Sequence, residues 1–207
     1  MKLRLHHFLK CSYANGPGAR AVIWVQGCPL HCPGCYNPDT HNFTGGTLLE
    51  VKKLADDLLA LGNHIQGVTI SGGEPLSQPL ALSELLATLR SKSNLSVVLF
   101  TGYAWNEITT LPHLSPREAA TGIPTFFRYV DVLIAGRYVQ QQHVGSALRG
   151  SANKTIHFLS DRYSFFDFES TPTTEVVIES DGHIIQSGIK PTNLQLENTP
   201  NKRGSYA

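Results

Sequence analysis

Ala21-Val22-Ile23-Trp24-Val25-Gln26-Gly27-Cys28-Pro29-Leu30-His31-Cys32-Pro33-Gly34-Cys35-Tyr36-Asn37 runs from an apolar, β-branched strand into a loop that carries three of the chain's four cysteines. Thiolates are the preferred ligands of zinc and of iron-sulfur clusters, and such a tight group converges on one centre only if the backbone wraps around it. The spacing Cys-x3-Cys-x2-Cys at Cys28, Cys32 and Cys35 therefore predicts a metal site. A closed structural site takes four protein ligands. Three thiolates leave one coordination position open for chemistry. Cys11 is left over, and a buried or idle thiol is its plainer reading.

Outward from this loop, strands and helices alternate. Thr47-Leu48-Leu49-Glu50 reads as a capping box, and Leu48, Val51, Ala55, Leu58 and Leu59 follow at helical spacing up to a stop at Gly62. Gly67 to Ser71 reads as a buried strand, Gln78 to Lys92 as an amphipathic helix and Val97 to Thr101 as a further strand. A short helix from Trp105, a turn-rich stretch with Pro112, Pro116 and Pro124, and a strand over Val130 to Ile134 come next. This rhythm predicts an α/β fold with a parallel sheet. Near the C-terminus, Asp181-Gly182 between two strand-like runs, Val176 to Ile185, predicts a β-hairpin. The composition then turns polar, which divides the chain into a folded domain over 1–188 and a loose tail over 189–207.

In parallel sheets, ligands collect where loops meet at the carboxyl ends of the strands. Three loops fall there: the cysteine loop, Ser71-Gly72-Gly73-Glu74-Pro75 and Thr101-Gly102-Tyr103. Paired glycines allow close backbone approach to a ligand, and the adjacent glutamate can accept from an ammonium group. Gly-Gly-Glu-Pro alone is no more than a turn signal, and its place after the cysteine loop gives it weight.

Composition narrows the partners. The chain has 207 residues, with 17 Lys and Arg against 16 Asp and Glu and no block of like charge. That balance carries no electrostatic footprint for nucleic acid or an anionic membrane. Met1-Lys2-Leu3-Arg4-Leu5-His6-His7 lacks the apolar core of a signal peptide, no long apolar run follows, and a cytoplasmic, reducing compartment is expected.

With these motifs assembled, the sequence resembles the radical S-adenosylmethionine superfamily and within it the glycyl-radical enzyme activating proteins, the anaerobic ribonucleoside-triphosphate reductase-activating family in particular. Carrying the resemblance are Asn15 to Arg20, the cluster loop through Cys35-Tyr36-Asn37-Pro38, Ile70 to Leu76, Phe100 to Tyr103, Asp131 to Tyr138 and Leu148 to Asn153. The resemblance implies a partial, incomplete TIM-like β/α barrel with parallel strands. It implies a 4Fe-4S cluster held by Cys28, Cys32 and Cys35, with S-adenosylmethionine chelating the fourth iron. Reductive cleavage of that cofactor to a 5'-deoxyadenosyl radical, and a glycyl-radical enzyme as protein substrate, follow from the same resemblance. Gly72, Gly73 and Glu74 would meet the methionyl amino group, Gly34 and Tyr36 would flank the adenine, and Thr101 would contact ribose or carboxylate. Electrons would come from reduced flavodoxin or ferredoxin, because four cysteines are too few for a second cluster.

Asn15 to Arg20 and Phe126-Phe127 are candidate docking elements, with a plain turn and a core strand as the simpler readings. Arg149 could grip a carboxylate or phosphate, or make a structural ion pair. His31 is expected near the metal without ligating it, and Asp56 and Asp57 on a solvated helix face. Two rival functions stay open on the sequence: a zinc or plain iron-sulfur module completed by Cys11 or His31, and a radical enzyme acting on a small molecule or peptide.

Overall fold

The computed structural model describes residues 1–108, 125–178, 182 and 184–189. Its centre is a run of four parallel strands in chain order: β2 (Arg20–Val25), β4 (Gly67–Gly72), β5 (Ser96–Thr101) and β6 (Val132–Ala135). Antiparallel strands flank them, β1 (Lys2–Ser12) and then β3 (Thr47–Glu50) on one side and β9 (Thr155–Phe158) on the other, while β7 (His143–Ser146) and β8 (Arg149–Ser151) pair with each other outside this sheet. The result is a mixed α/β fold around an open seven-stranded sheet in the order β3-β1-β2-β4-β5-β6-β9. The expected parallel sheet is present, and its edges stay apart as β3 and β9.

The period of two along β2 decides what lies on each face. Ala21, Ile23 and Val25 join the larger core, packed by α1 (Val51–Ala60) and α2 (Pro79–Lys92) through Leu54, Leu58, Leu82, Leu85 and Leu86. Val22 and Trp24 face the other way, against Ile185 of the hairpin formed by β10 (Thr174–Ile178) and β11 (Ile184–Gly188). Each such fully buried aliphatic side chain is worth about 1.5–3 kcal/mol of transfer free energy. Helices on one face and a hairpin on the other leave the carboxyl edge of the sheet for loops.

One expectation fails. Thr47 to Glu50 is not a helix cap: these residues pair antiparallel with Lys2 to Leu5, and α1 begins at Val51 with no side-chain bond from Glu50. A Thr-x-x-Glu run fits both a capping box and a short edge strand, and the free edge of β1 selects the strand. The predicted C-terminal hairpin is present, with Ile178 opposite Ile184. The turn-rich stretch with Pro112, Pro116 and Pro124 lies outside the described residues, as does the predicted tail apart from Ile189.

At the amino ends of the parallel strands, Arg20 is fully buried and ties three of them together. Its guanidinium donates to Thr69 Oγ1 at 2.8 Å, Ser96 Oγ at 3.0 Å, Tyr163 OH at 3.2 Å and the carbonyls of Val68, Ser96 and Pro17. Five N–H groups in a rigid fork suit this cage of neutral acceptors. Asn15 is also buried, donating to Ser12 Oγ and Ser187 Oγ. The structure therefore supports the plain turn for residues 15–20; Phe127, 4% exposed, sits in the core, but on a 3-10 turn over Thr125–Tyr129 and not on the expected strand.

Candidate active site

The loops that leave β2, β4 and β5 converge on one cleft lined by Cys28, Cys32, Cys35, Tyr36, Gly72, Gly73, Glu74 and Thr101. The cleft is partly open to solvent. Of the residues expected to hold the cluster or the cofactor, only Gly34 is outside its lining; at φ +72° it turns the chain beside Gln140. Cys11 is on β1, away from the cleft, with its thiol pushed up by burial and by Glu175. Arg149 lies 6.0 Å from the ring of Phe165, and Asp56 and Asp57 pair with Lys52 and Lys53 on the exposed face of α1. His31 sits at φ +45°, with Nδ1 3.3 Å from Nδ1 of His41.

The glycine pair brings two backbones together. Gly73 N–H donates to Val25 O and Glu74 N–H to Gly27 O, both at 2.8 Å, so the second loop is bonded to the residue before Cys28. A Cβ on Gly73 would stand 2.3 Å from Gly27 O, and one on Gly72 2.5 Å from Val25 N. Only glycine permits this approach. Its effect is to fix where the first cysteine stands relative to the second loop.

Glu74 is fully buried, and its carboxylate is spent largely on the protein. Oε1 accepts from Leu76 N–H at 2.8 Å and Thr101 Oγ1 at 2.9 Å, and Oε2 accepts from Gly102 N–H at 2.8 Å. Burial pushes its pKa above the usual carboxylate range, against the pull of these bonds and of Lys154. A carboxylate has about four acceptor directions, so Oε2 keeps capacity for a ligand donor while the rest clamp the β4 and β5 loops together.

Burial also raises the Cys28 thiol, to about 11, and the Cys35 thiol. A metal must displace those protons, and thiolates bind it once it does. Among the described residues no three His, Cys, Asp or Glu side chains converge on a single ion. The ligands of a 4Fe-4S core each hold a different iron and stand further apart than those of one ion. Three cysteines on one wall, with no fourth cysteine in the lining, fit such a core with an open iron.

Several lining residues carry no role in the sequence reading. Lys154, half-buried, lies beside Glu74, Cys32 and Cys35 and donates to Gly136 O. Burial lowers its pKa and those three groups raise it. Tyr36 and Tyr138 form an aromatic wall with ring centroids 4.7 Å apart, and Tyr36 OH meets His143 Nδ1 at 2.6 Å. The Tyr36 phenol is pushed well up by burial and by Tyr138. The quoted motifs end at Asn153 and contain Tyr138, but nothing local in the sequence says that Tyr138 or Lys154 reaches the cleft.

A cleft at the carboxyl edge of parallel strands, walled by three cysteines and a glycine-glycine-glutamate loop, defines an iron-sulfur enzyme of the radical S-adenosylmethionine class. The family described as "4Fe-4S single cluster domain" matches residues 14–157. The anaerobic ribonucleoside-triphosphate reductase-activating protein of Enterobacteria phage T4 is 34% identical over 152 residues, covering 70% of this chain and 88% of that protein. Its counterpart in Vibrio cholerae is 33% identical over 163 residues, covering 75% of this chain and 97% of that one. The pyruvate formate-lyase-activating enzyme of Clostridium pasteurianum is 36% identical over 106 residues, covering 49% and 44% respectively. The chain belongs to the anaerobic ribonucleoside-triphosphate reductase-activating protein family.

Proposed function

We propose that this protein reductively cleaves S-adenosylmethionine and uses the product to install a glycyl radical on an anaerobic ribonucleoside-triphosphate reductase. The observation that carries this reading is the direct bonding of the Gly-Gly-Glu loop to the cysteine loop across one cleft. When bound, the cluster would supply the electron that breaks a carbon-sulfur bond of the cofactor, releasing methionine and a 5'-deoxyadenosyl radical.

Cys28, Cys32 and Cys35 would hold the cluster. Gly72, Gly73 and the spare acceptor capacity of Glu74 would take the methionyl amino group, and Thr101, held by Glu74, would sit by the ribose or carboxylate. Tyr36 would cover the adenine, while Gly34 acts on it only indirectly, by turning the cysteine loop. Lys154 would balance negative charge in the cleft. The four parallel strands are read as part of an incomplete barrel, with 1–188 as the catalytic domain and 189–207 as an appended tail. Electrons would come from a reduced flavodoxin or ferredoxin. No described helix is long and apolar enough to cross a membrane, and the expected compartment is the cytoplasm.

The zinc rival loses support because its proposed fourth ligands, Cys11 and His31, do not line the cleft. The test is spectroscopic. Protein purified without oxygen should be brown, and its reduced cluster should give an electron paramagnetic resonance signal that changes when S-adenosylmethionine is added. A colourless zinc protein, or a cluster signal indifferent to the cofactor, overturns the reading.

A further inference from the structure

Among the described residues, Lys154 is the one lysine or arginine that lines the cleft, and it makes no ion pair there. Its place is fixed from two sides. The turn between β8 and β9 carries it, where its N–H donates to Ser151 O at 3.1 Å, and its ammonium donates to Gly136 O just past β6. Gly136, at φ +116°, lies close against the lysine backbone: a Cβ there would stand 3.4 Å from Lys154 Cα. Asn153 Nδ2 donates to Arg137 O at 2.9 Å and ties the same turn to the same strand end. An ammonium has three N–H groups, and Gly136 O takes one of them.

A cation held away from water is costly unless negative charge stands near it. Around Lys154 the groups that can supply that charge are Glu74, Cys32 and Cys35. Glu74 is already bonded to three donors of the β4 and β5 loops, and the cysteines become anions only as metal displaces their protons. Arg137, the other cation that acts on Cys32, is neutralised by its two bonds to Glu107. Most of the negative charge that Lys154 is placed to meet therefore arrives with the metal.

We infer that Lys154 raises the reduction potential of a cluster held by Cys28, Cys32 and Cys35, its fixed positive charge favouring the reduced state. The inference rests on the reading of the cleft as a cluster site and names the residue that sets how readily that site accepts an electron. Net charge and hydrogen bonds around a cluster set its potential. Reduction adds one negative charge, so a cation on the cleft wall stabilises the reduced form more than the oxidised one, and its removal reverses that bias.

The test is a redox titration of the anaerobic, cluster-loaded protein without S-adenosylmethionine, followed by the electron paramagnetic resonance of the reduced cluster. Lys154→Met keeps the length of the side chain and removes its charge. At a fixed applied potential it should lower the ratio of reduced to oxidised cluster on the order of tenfold, a drop of about 59 mV for one electron. Lys154→Gln should shift the same way, whereas Lys154→Arg, which keeps the charge, should stay near the wild type. Iron held per chain should be equal in all four proteins. A midpoint unchanged or raised in the neutral variants, an equal drop in Lys154→Arg, or loss of iron from both neutral variants each overturns the inference. Wild type that takes up no cluster overturns the cofactor reading beneath it instead.

Discussion

Replacing Gly73 by alanine tests how the two loops of the site are held. The new Cβ would stand 2.3 Å from Gly27 O and 2.9 Å from its carbon, where real Cβ atoms essentially never come within 3.0 Å. The loops must part by about 0.7 Å, and neither obstacle is a flexible side chain. The bonds Gly73 N to Val25 O and Glu74 N to Gly27 O, both 2.8 Å, then stretch past useful length. Overpacking at about 1–3 kcal/mol, with two bonds at about 0.5–1.5 kcal/mol each, gives a loss of about 2–6 kcal/mol. For a chain of this size that lowers the melting temperature by roughly 5–20 °C. Gly62→Ala is the control, because a Cβ there meets nothing within 4 Å and only its φ of +53° costs stability, about 1–2 kcal/mol. Thermal unfolding of the metal-free chain reads the first effect, and iron retained per chain after reconstitution reads the displacement of Cys28. A Gly73→Ala protein that melts within about 2 °C of wild type and holds iron as well would refute the claim that these glycines set the site.

Three other predictions follow from the same geometry. Arg20→Ala leaves six buried acceptors without their donor and opens a cavity, so chemical denaturation should show a loss of about 3–5 kcal/mol. Glu74→Gln sets an amide N–H against a backbone donor already aimed at the carboxylate, Gly102 N–H or Leu76 N–H; it should cost about 1–3 kcal/mol in the same assay and weaken binding of S-adenosylmethionine. The carboxylate of Glu107 accepts twice from Arg137, at 2.8 and 2.6 Å, and this pair is the first cause that holds its pKa below the ordinary range. A depressed acid stabilises the fold above its unfolded pKa and loses that contribution as pH falls through the folded value. In a carbon-13 titration Arg137→Gln should move Glu107 back up, with under about 1 kcal/mol lost at neutral pH because both side chains are over a third exposed.

How much of this was legible in the sequence depended on range. The four parallel strands and both long helices announce themselves through local periodicity, and the cysteine loop through spacing, so the site's main walls are readable without coordinates. β1 is not, because its alternation of Leu3 and Leu5 is broken by register shifts between Leu5 and His7 and between Leu9 and Ser12. Without β1, Thr47 to Glu50 has no strand partner within reach of local sequence and fits a helix start. Lys154 escaped for a similar reason: β9 returns antiparallel to β6, and only that pairing sets the lysine against Gly136 and the thiols. The sequence presents Glu74 as a ligand contact, and the loop bonds that occupy most of its carboxylate depend on Gly102, 28 residues away.

The central claim is tested most directly by mixing the reduced, cluster-loaded protein with S-adenosylmethionine and an anaerobic ribonucleoside-triphosphate reductase, then recording the electron paramagnetic resonance spectrum. The account predicts a glycine-centred doublet on the reductase that requires the cofactor and vanishes when Cys28, Cys32 or Cys35 is replaced by alanine. Cofactor cleavage without that doublet, on a reductase able to carry the radical, would contradict the assignment of a protein substrate.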